Sequence, residues 1–274
     1  MDLKVVRYEV SDSIATITLN RPHRMNAWTG RTHTEYRWAL VQADHDSTVR
    51  AVVITGAGRA FCVGADSKAL EGHVEKGRYD PGTPTELPRP GFGVRPEFDA
   101  DFAYHFGISK PIIAAINGPV AGVGLVLACF ADLRFAGTGA KFTTAHGKLN
   151  LPAEFGLSWL LPRMIGLTRT NELLLSSRVF LAEEALSLGL VNGVLPPEEL
   201  LSYTYGYARN LVATVSPGSL RETKRQIYTD LHREVRDAVE NSKRLVERMA
   251  TEPDFAEGVA AFTEKRLPRW AGKP

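Results

Sequence analysis

The chain has 274 residues, enough for one large domain or two modest ones and for a sizeable core. Its 33 Lys and Arg against 31 Asp and Glu leave a formal charge of +2, with no dominant basic stripe, which argues against a nucleic-acid binder. The 44% hydrophobic and 23% charged content is ordinary for a soluble globular protein. The longest apolar runs are far too short for a transmembrane helix. The start Met1-Asp2-Leu3-Lys4 carries neither a signal-peptide core nor an Arg-rich transit stretch. Cys62 and Cys129 form no C-x-x-C, so a reduced, cytoplasmic setting is expected.

Residues 4–10 and 14–19 alternate like two strands, joined by Ser11-Asp12-Ser13 as a hairpin. Residues 29–45 have helical spacing, with Tyr36, Leu40 and Val41 on one face. A buried strand is expected over 50–55 and a short helix over 68–74. Residues 75–96 are rich in Pro, Gly and charge without periodicity and read as a loop. Helical pattern returns over 97–106. Strand, turn and helix then alternate from 111 to 136, which indicates α/β architecture. After Val194 the pattern is almost all helix, with amphipathic segments over 216–231, 235–250 and 254–267.

The densest signal is Lys110-Pro111-Ile112-Ile113-Ala114-Ala115-Ile116-Asn117-Gly118-Pro119-Val120-Ala121-Gly122-Val123-Gly124, followed by Leu125-Val126-Leu127-Ala128-Cys129. It reads as a strand covered on both faces, a sharp turn, and the start of an apolar helix. Such a start aims unpaired backbone N–H groups and a positive dipole end into the turn, which suits an anion or a developing oxyanion. Tight packing of helix on strand would explain one glycine pair equally well. A second unit, Gly56-Ala57-Gly58-Arg59-Ala60-Phe61-Cys62-Val63-Gly64-Ala65-Asp66, also follows a strand-like run. Two such units can supply two N–H donors to one oxygen.

In these pieces the chain resembles the enoyl-CoA hydratase/isomerase (crotonase) superfamily. Further pieces are Leu19-Asn20-Arg21-Pro22 with Asn26-Ala27, Ala182-Glu183-Glu184-Ala185 through Gly189-Leu190-Val191, and Glu257-Gly258 with Ala261-Phe262-Thr263-Glu264-Lys265-Arg266. They occur in the family's order and span nearly the whole chain. The resemblance implies an α/β, crotonase-like spiral of ββα units over residues 1–195. It implies a helical C-terminal region over 196–274 that assembles a homotrimer or homohexamer. It also implies an acyl-CoA thioester as substrate, with no further cofactor, and neither nucleic acid nor membrane as partner.

By motif position, the backbone N–H groups of Ala65 and Val123 are the expected oxyanion donors, with Gly122 forming the turn. Val123 is β-branched and stiffer than the glycine often found there, but a backbone donor leaves the side chain free to vary. The family's hydratases hold the added water between two glutamates. The first of these positions is Val126, which cannot transfer a proton, and the second falls near His146. Relatives of isomerase type carry a single acid before a Gly-x-Ser-aromatic helix start, and Glu154 falls on that position. Among Leu151, Phe155, Leu157 and Trp159 its pKa should be raised by desolvation, which suits a group that takes and returns one proton. Taken alone, Glu154 reads as an acidic residue at a helix start, favoured by the dipole. His146 reads as an acid/base candidate or as a structural hydrogen-bonder.

For the CoA end, the resemblance points to Arg24, Met25, Ala60 and Asp66. Phe262 and Lys265 of the last helix would meet the nucleotide, often that of a neighbouring subunit. Their plainer readings are helix core and solvated charge. No metal site is expected, since the histidines form no H-E-x-x-H. Gly58 to Gly64 lacks the Lys-Ser/Thr of a phosphate loop. Gly122-Val123-Gly124 lacks the third glycine of a dinucleotide fingerprint, and there is no G-x-S-x-G. The resemblance therefore implies an acyl-CoA enzyme of the hydratase/isomerase family with one-carboxylate, isomerase-like chemistry. A non-catalytic acyl-CoA-binding protein that keeps the fold is the alternative.

Overall fold

The computed structural model describes residues 1–77 and 96–271. Strands β1 (Val6–Ser11) and β2 (Ile14–Leu19) form the expected hairpin, in the register Val6↔Leu19. Asp12 and Ser13, at φ 53° and 61°, make the two-residue turn, which matches the twist of the flanking strands. Thr29 caps α1 (Gly30–His45) by accepting from the Thr32 N–H. The buried carboxylate of Glu35, on that helix, accepts from the N–H groups of Lys4, Val5 and Val6 and so fixes where β1 begins. The buried Lys110 ammonium donates to the Ala43 and Asp46 carbonyls at the far end of α1, where a cation favours the helix dipole.

β3 (Ala51–Gly56) and β4 (Ile112–Ile116) are buried along their whole length. This is why their sequences read as continuous apolar runs rather than alternations. With β6 (Leu133–Gly137) and β9 (Gly193–Leu195) they complete a six-stranded sheet in the order β1-β2-β3-β4-β6-β9, parallel from β2 onward. A second, smaller sheet joins β5 (Val120–Ala121), β7 (Lys141–Thr143) and β8 (Phe180–Leu181). The chain thus leaves the large sheet at β4, touches the small sheet at β5, and enters α3 (Val123–Phe130), every residue of which is buried. Further helices α4 (Leu157–Ile165), α5 (Leu167–Ser176) and α6 (Ala182–Leu188) complete this part.

After β9 the described chain is helical: α7 (Leu200–Thr214), α8 (Pro217–Asp230), α9 (Val235–Met249) and α10 (Pro253–Glu264). Helix α8 docks on the sheet through a buried polar cluster. Lys224 Nζ lies 2.7 Å from Asp132 Oδ2 and 3.0 Å from the Lys110 carbonyl, and Tyr228 donates to Asp132 Oδ1 at 2.8 Å. The same Asp132 carboxylate accepts from the Ile112 N–H.

Two sequence expectations need comment. The helix expected over 97–106 is instead two short 3-10 turns, Pro96–Phe98 and Ala103–Gly107, broken at Phe102. Phe102, Tyr104, His105 and Phe106 are all buried. One helical face cannot bury so many neighbouring positions, so the backbone breaks to do it. Of the loop expected over 75–96, Glu75 and Lys76 close helix α2 (Ser67–Lys76), and residues 78–95 lie outside the described residues.

Candidate active site

Two asparagines set the loop that follows β3. Asn26 donates to the Ala57 and Ala60 carbonyls, and its own oxygen accepts from the Arg21 N–H. Asn117, from the turn after β4, accepts from the Gly56 N–H and donates to the Gly58 carbonyl. The loop then runs beside β5: Cys62 pairs with Val120, and the Ala121 N–H donates to the Cys62 carbonyl at 3.0 Å. The approach is so close that a Cβ on Gly124 would lie 2.2 Å from the Cys62 oxygen. Gly122, at φ 48° and ψ −124°, adopts a backbone that L side chains rarely take.

This register carries Ala65 and Val123 to matching places, each three residues past the Cys62–Val120 pair. Several nearby backbone groups are engaged: the Trp28 N–H donates to the Gly64 carbonyl, the Asp66 N–H to Trp28, the Gly122 N–H to Thr143 and the Leu125 N–H to Gly122. Among the described residues, the Ala65 and Val123 N–H groups have no protein acceptor. Val123 opens α3, so its N–H is one of the donors that a helix start leaves unpaired.

Glu154 comes to the same place from the other side. It sits on a 3-10 turn, Glu154–Gly156, that packs on α3 and leads into α4. A Cβ on Gly122 would lie 3.4 Å from Glu154 Oε2 and 3.7 Å from the Gly64 Cα. The carboxylate therefore adjoins the junction of the two glycine turns. It is half-buried, and desolvation raises its pKa above the ordinary carboxylate value. Val126 is fully buried in the core. His146 is buried too, and its Nδ1 has no hydrogen-bond partner among the described residues. Its segment passes close to the turn, with the Thr144 carbonyl 3.9 Å from the Gly122 Cβ position.

Of the residues expected at the CoA end, Arg24 and Asp66 come together beside Ala65. Arg24 Nη2 lies 3.2 Å from Asp66 Oδ1 and 3.0 Å from Ser67 Oγ, and Arg21 Nη2 lies 2.9 Å from Asp66 Oδ2. Burial alone would raise the Asp66 pKa, but hydrogen bonds from Arg24 and Arg21 hold it below its usual value. Asp66 also accepts from the Lys68 N–H at the start of α2. Its carboxylate is thus an internal tie, and the Arg24 charge is shared with it. Met25 accepts through its carbonyl from the Val63 N–H, and Ala60 is buried beneath the loop. Phe262 and Lys265 are not brought to this place within one chain. Phe262 is 87% exposed on α10, and Lys265 ends that helix at the surface.

The sequence reading missed Arg21 as the second partner of Asp66, and it missed three rings beside the site: Trp28, Phe102 and Phe130. Trp28 follows the recognised Asn26-Ala27 pair and was within reach of that signal. Phe102 gave none, because its position depends on the break in the 3-10 segment. Among the described residues no group of three or more His, Cys, Asp or Glu side chains is arranged to hold a metal ion. No described helix is long and apolar enough to cross a membrane.

Residues 9–273 match the family described as enoyl-CoA hydratase/isomerase. A probable enoyl-CoA hydratase of Mycobacterium tuberculosis is 40% identical over 93% of this chain and 88% of its own. The 1,2-epoxyphenylacetyl-CoA isomerase of Escherichia coli is 33% identical over 99% of this chain and 100% of its own. The crystal structure of an enoyl-CoA hydratase from Mycobacterium tuberculosis superposes with a TM-score of 0.83 at 29% identity, over 98% of this chain and 99% of that one. Its fold is the crotonase fold, and the chain belongs to the enoyl-CoA hydratase/isomerase family.

Proposed function

We propose that the protein isomerises an acyl-CoA thioester through a single carboxylate. The thioester oxygen is held by the Ala65 and Val123 N–H groups. The Glu154 carboxylate takes a proton from C2 of a 3-enoyl-CoA. The C2 electron pair becomes an enolate conjugated with the C3=C4 bond, and its negative charge rests on the oxygen facing the two N–H donors. Glu154 then returns the proton at C4, leaving the double bond between C2 and C3. Atoms and charge balance with no further reactant. Two unpaired donors worth about 10²–10³ in rate each and a base worth about 10²–10⁴ are its means.

The observation that carries this reading is the desolvated Glu154 carboxylate beside the Gly122 turn, with valine at position 126. Hydration needs a second group to hold water, and buried Val126 cannot supply it. A relative named as an isomerase, alike over nearly its full length, agrees with the proposal. The test is a panel of 2-enoyl- and 3-enoyl-CoA thioesters with product identification, run on the parent and on Glu154→Gln. Faster isomerisation than hydration is expected. Glu154→Gln should lose about 10²–10⁴ in turnover with thioester binding retained. Efficient hydration by the parent would overturn the isomerase preference, and full activity in Glu154→Gln would move the proton transfer to another group such as His146.

We also infer that the helical region after residue 195 assembles the protein into a trimer or hexamer. In the single chain α9 has no buried residue, and Val235, Val246, Phe255 and Phe262 are more than half exposed. Light scattering that returned a monomer at micromolar concentration would refute this. Assembly would also give Phe262 and Lys265 a neighbour's CoA to meet.

A further inference from the structure

A row of aromatic rings runs from one side of the site to the other. Trp28 is held against the first glycine turn by its bridge to Ala65. Its ring centroid lies 5.6 Å from that of Phe102, and Phe102 lies 5.2 Å from Phe155 in an edge-to-face arrangement. Phe155 is the residue next to Glu154. The row therefore links the turn that carries one unpaired N–H to the residue that carries the carboxylate. Phe130, at the end of α3, backs it, 6.5 Å from Phe102.

Two of these residues occupy backbone conformations that bulky side chains avoid: Phe102 at φ 65°, ψ −34° and Phe155 at φ 43°, ψ 43°. Strain of this kind persists only where the surroundings enforce it, and it concentrates at functional sites. Here both strained residues aim their rings at each other. Phe102 and Trp28 are buried, and Phe155 keeps part of its surface exposed. Phe155, partly exposed beside Glu154 and backed edge-to-face by the buried Phe102, can offer an aromatic contact to a flat ring that a puckered one cannot match.

We propose that Phe155, held in place by the buried rings of Phe102 and Trp28, is a specificity determinant that selects an acyl group bearing an aromatic ring. The proposal rests on the acyl-CoA reading above and names the substrate class of that site. Aromatic pairing beyond simple burial is worth about tenfold in affinity. The cleanest comparison is phenylacetyl-CoA against cyclohexylacetyl-CoA, two saturated-linker thioesters of the same carbon skeleton, one flat and one puckered. Isothermal titration needs no turnover, so it is independent of which proton transfer the enzyme performs.

The parent protein should bind phenylacetyl-CoA about tenfold more tightly, and Phe155→Leu should bring the two affinities close to parity. Phe155→Tyr should keep the preference, which separates the ring's role from that of the bulk at this position. Equal affinities in the parent, or tighter binding of cyclohexylacetyl-CoA, would overturn the inference while leaving the acyl-CoA reading intact. A preference that survives both Phe155→Leu and Trp28→Leu would overturn it as well. Binding of neither thioester would sink the acyl-CoA reading and this inference with it. Should Phe155→Leu fail to fold, the parent comparison still decides the matter.

Discussion

Replacing Gly124 by alanine tests whether the packing of the two glycine turns governs the chemistry. The new Cβ would stand 2.2 Å from the Cys62 carbonyl oxygen, 2.8 Å from its Cβ and 2.9 Å from its carbonyl carbon, whereas ordinary contact begins at 3.4 Å. The turns must therefore separate by about 1.2 Å. The obstacle is backbone, and the same carbonyl accepts from the Ala121 N–H, so no side-chain rotation relieves it. The strain of forcing a methyl into a packed interior is about 1–3 kcal/mol. The catalytic consequence is larger in proportion. Moving Cys62 from Gly124 moves Ala65 from Val123, and a displacement of about 1 Å in a reacting geometry costs on the order of 10² in rate. Outright loss of one donor costs about 10²–10³. Steady-state kinetics on the best thioester of the panel should give kcat lowered by about two orders of magnitude, with a small change in KM because the Arg24–Asp66 tie, where the proposed reading puts the CoA end, lies outside the clash. A lowered melting temperature with unchanged kcat would refute the coupling between this contact and the paired donors.

Other outcomes follow from single contacts. Gly206 lies inside α7 with nothing within 4 Å of its Cβ position, so Gly206→Ala should gain about 1 kcal/mol and melt higher, with activity unchanged. Lys224→Met leaves Asp132 without its buried cation, and denaturant unfolding should reveal a loss of about 3–5 kcal/mol. A loss below about 1 kcal/mol would mean that the cluster does not anchor α8. Burial raises the folded pKa of Glu154, so the folded state holds that proton more tightly than the unfolded chain does. Stability is then lost as pH rises from the ordinary carboxylate value of 4.5 through the raised one. Glu154→Gln should melt higher than the parent at neutral pH, with the gap closing below about pH 4. On the same grounds the acid limb of the parent's kcat/KM profile should have its midpoint above 4.5.

What could be read from the sequence was what local chemistry determines. The all-apolar runs of β3 and β4, the Thr29 cap of α1 and the Ser216-Pro217 start of α8 each carry their cause within a few residues. The break at Phe102 does not, because it arises from burying several adjacent aromatic residues against partners far along the chain. Tyr228, stacked on Phe106 at 3.8 Å, is one of them. Arg24 was expected at the CoA end from the resemblance alone, and no carboxylate lies near it in sequence. Its partner Asp66 arrives from across the loop, and with Arg21 forms a three-residue tie that no spacing rule announces. The desolvation of Glu154 was legible in kind, since Leu151, Phe155, Leu157 and Trp159 surround it in sequence. Its nearness to Gly122 was not, since that depends on how the 3-10 turn rests on α3.

The division of labour in the proposed site follows from which groups can be exchanged without cost to the fold. The donors at Ala65 and Val123 are backbone, set by the Cys62–Val120 pairing and by a helix start that every residue of α3 buries. Val123 illustrates the point: the residue is buried, its branched side chain is restricted, and its N–H still has no protein acceptor among the described residues. Positions 126, 146 and 154 are different, because only their side chains can meet a reacting proton. Valine at 126 closes the first of them with packing, and His146 occupies the second with a ring whose Nδ1 has no partner among the described residues. That leaves the carboxylate of Glu154 at the Gly122 turn, close enough for its Oε2 to make van der Waals contact with a methyl placed there. On the proposed mechanism the base and the oxyanion donors thus share one turn. A proton leaving C2 and the charge arriving on the thioester oxygen are then stabilised within a few ångströms of each other, in surroundings whose low polarity strengthens both interactions.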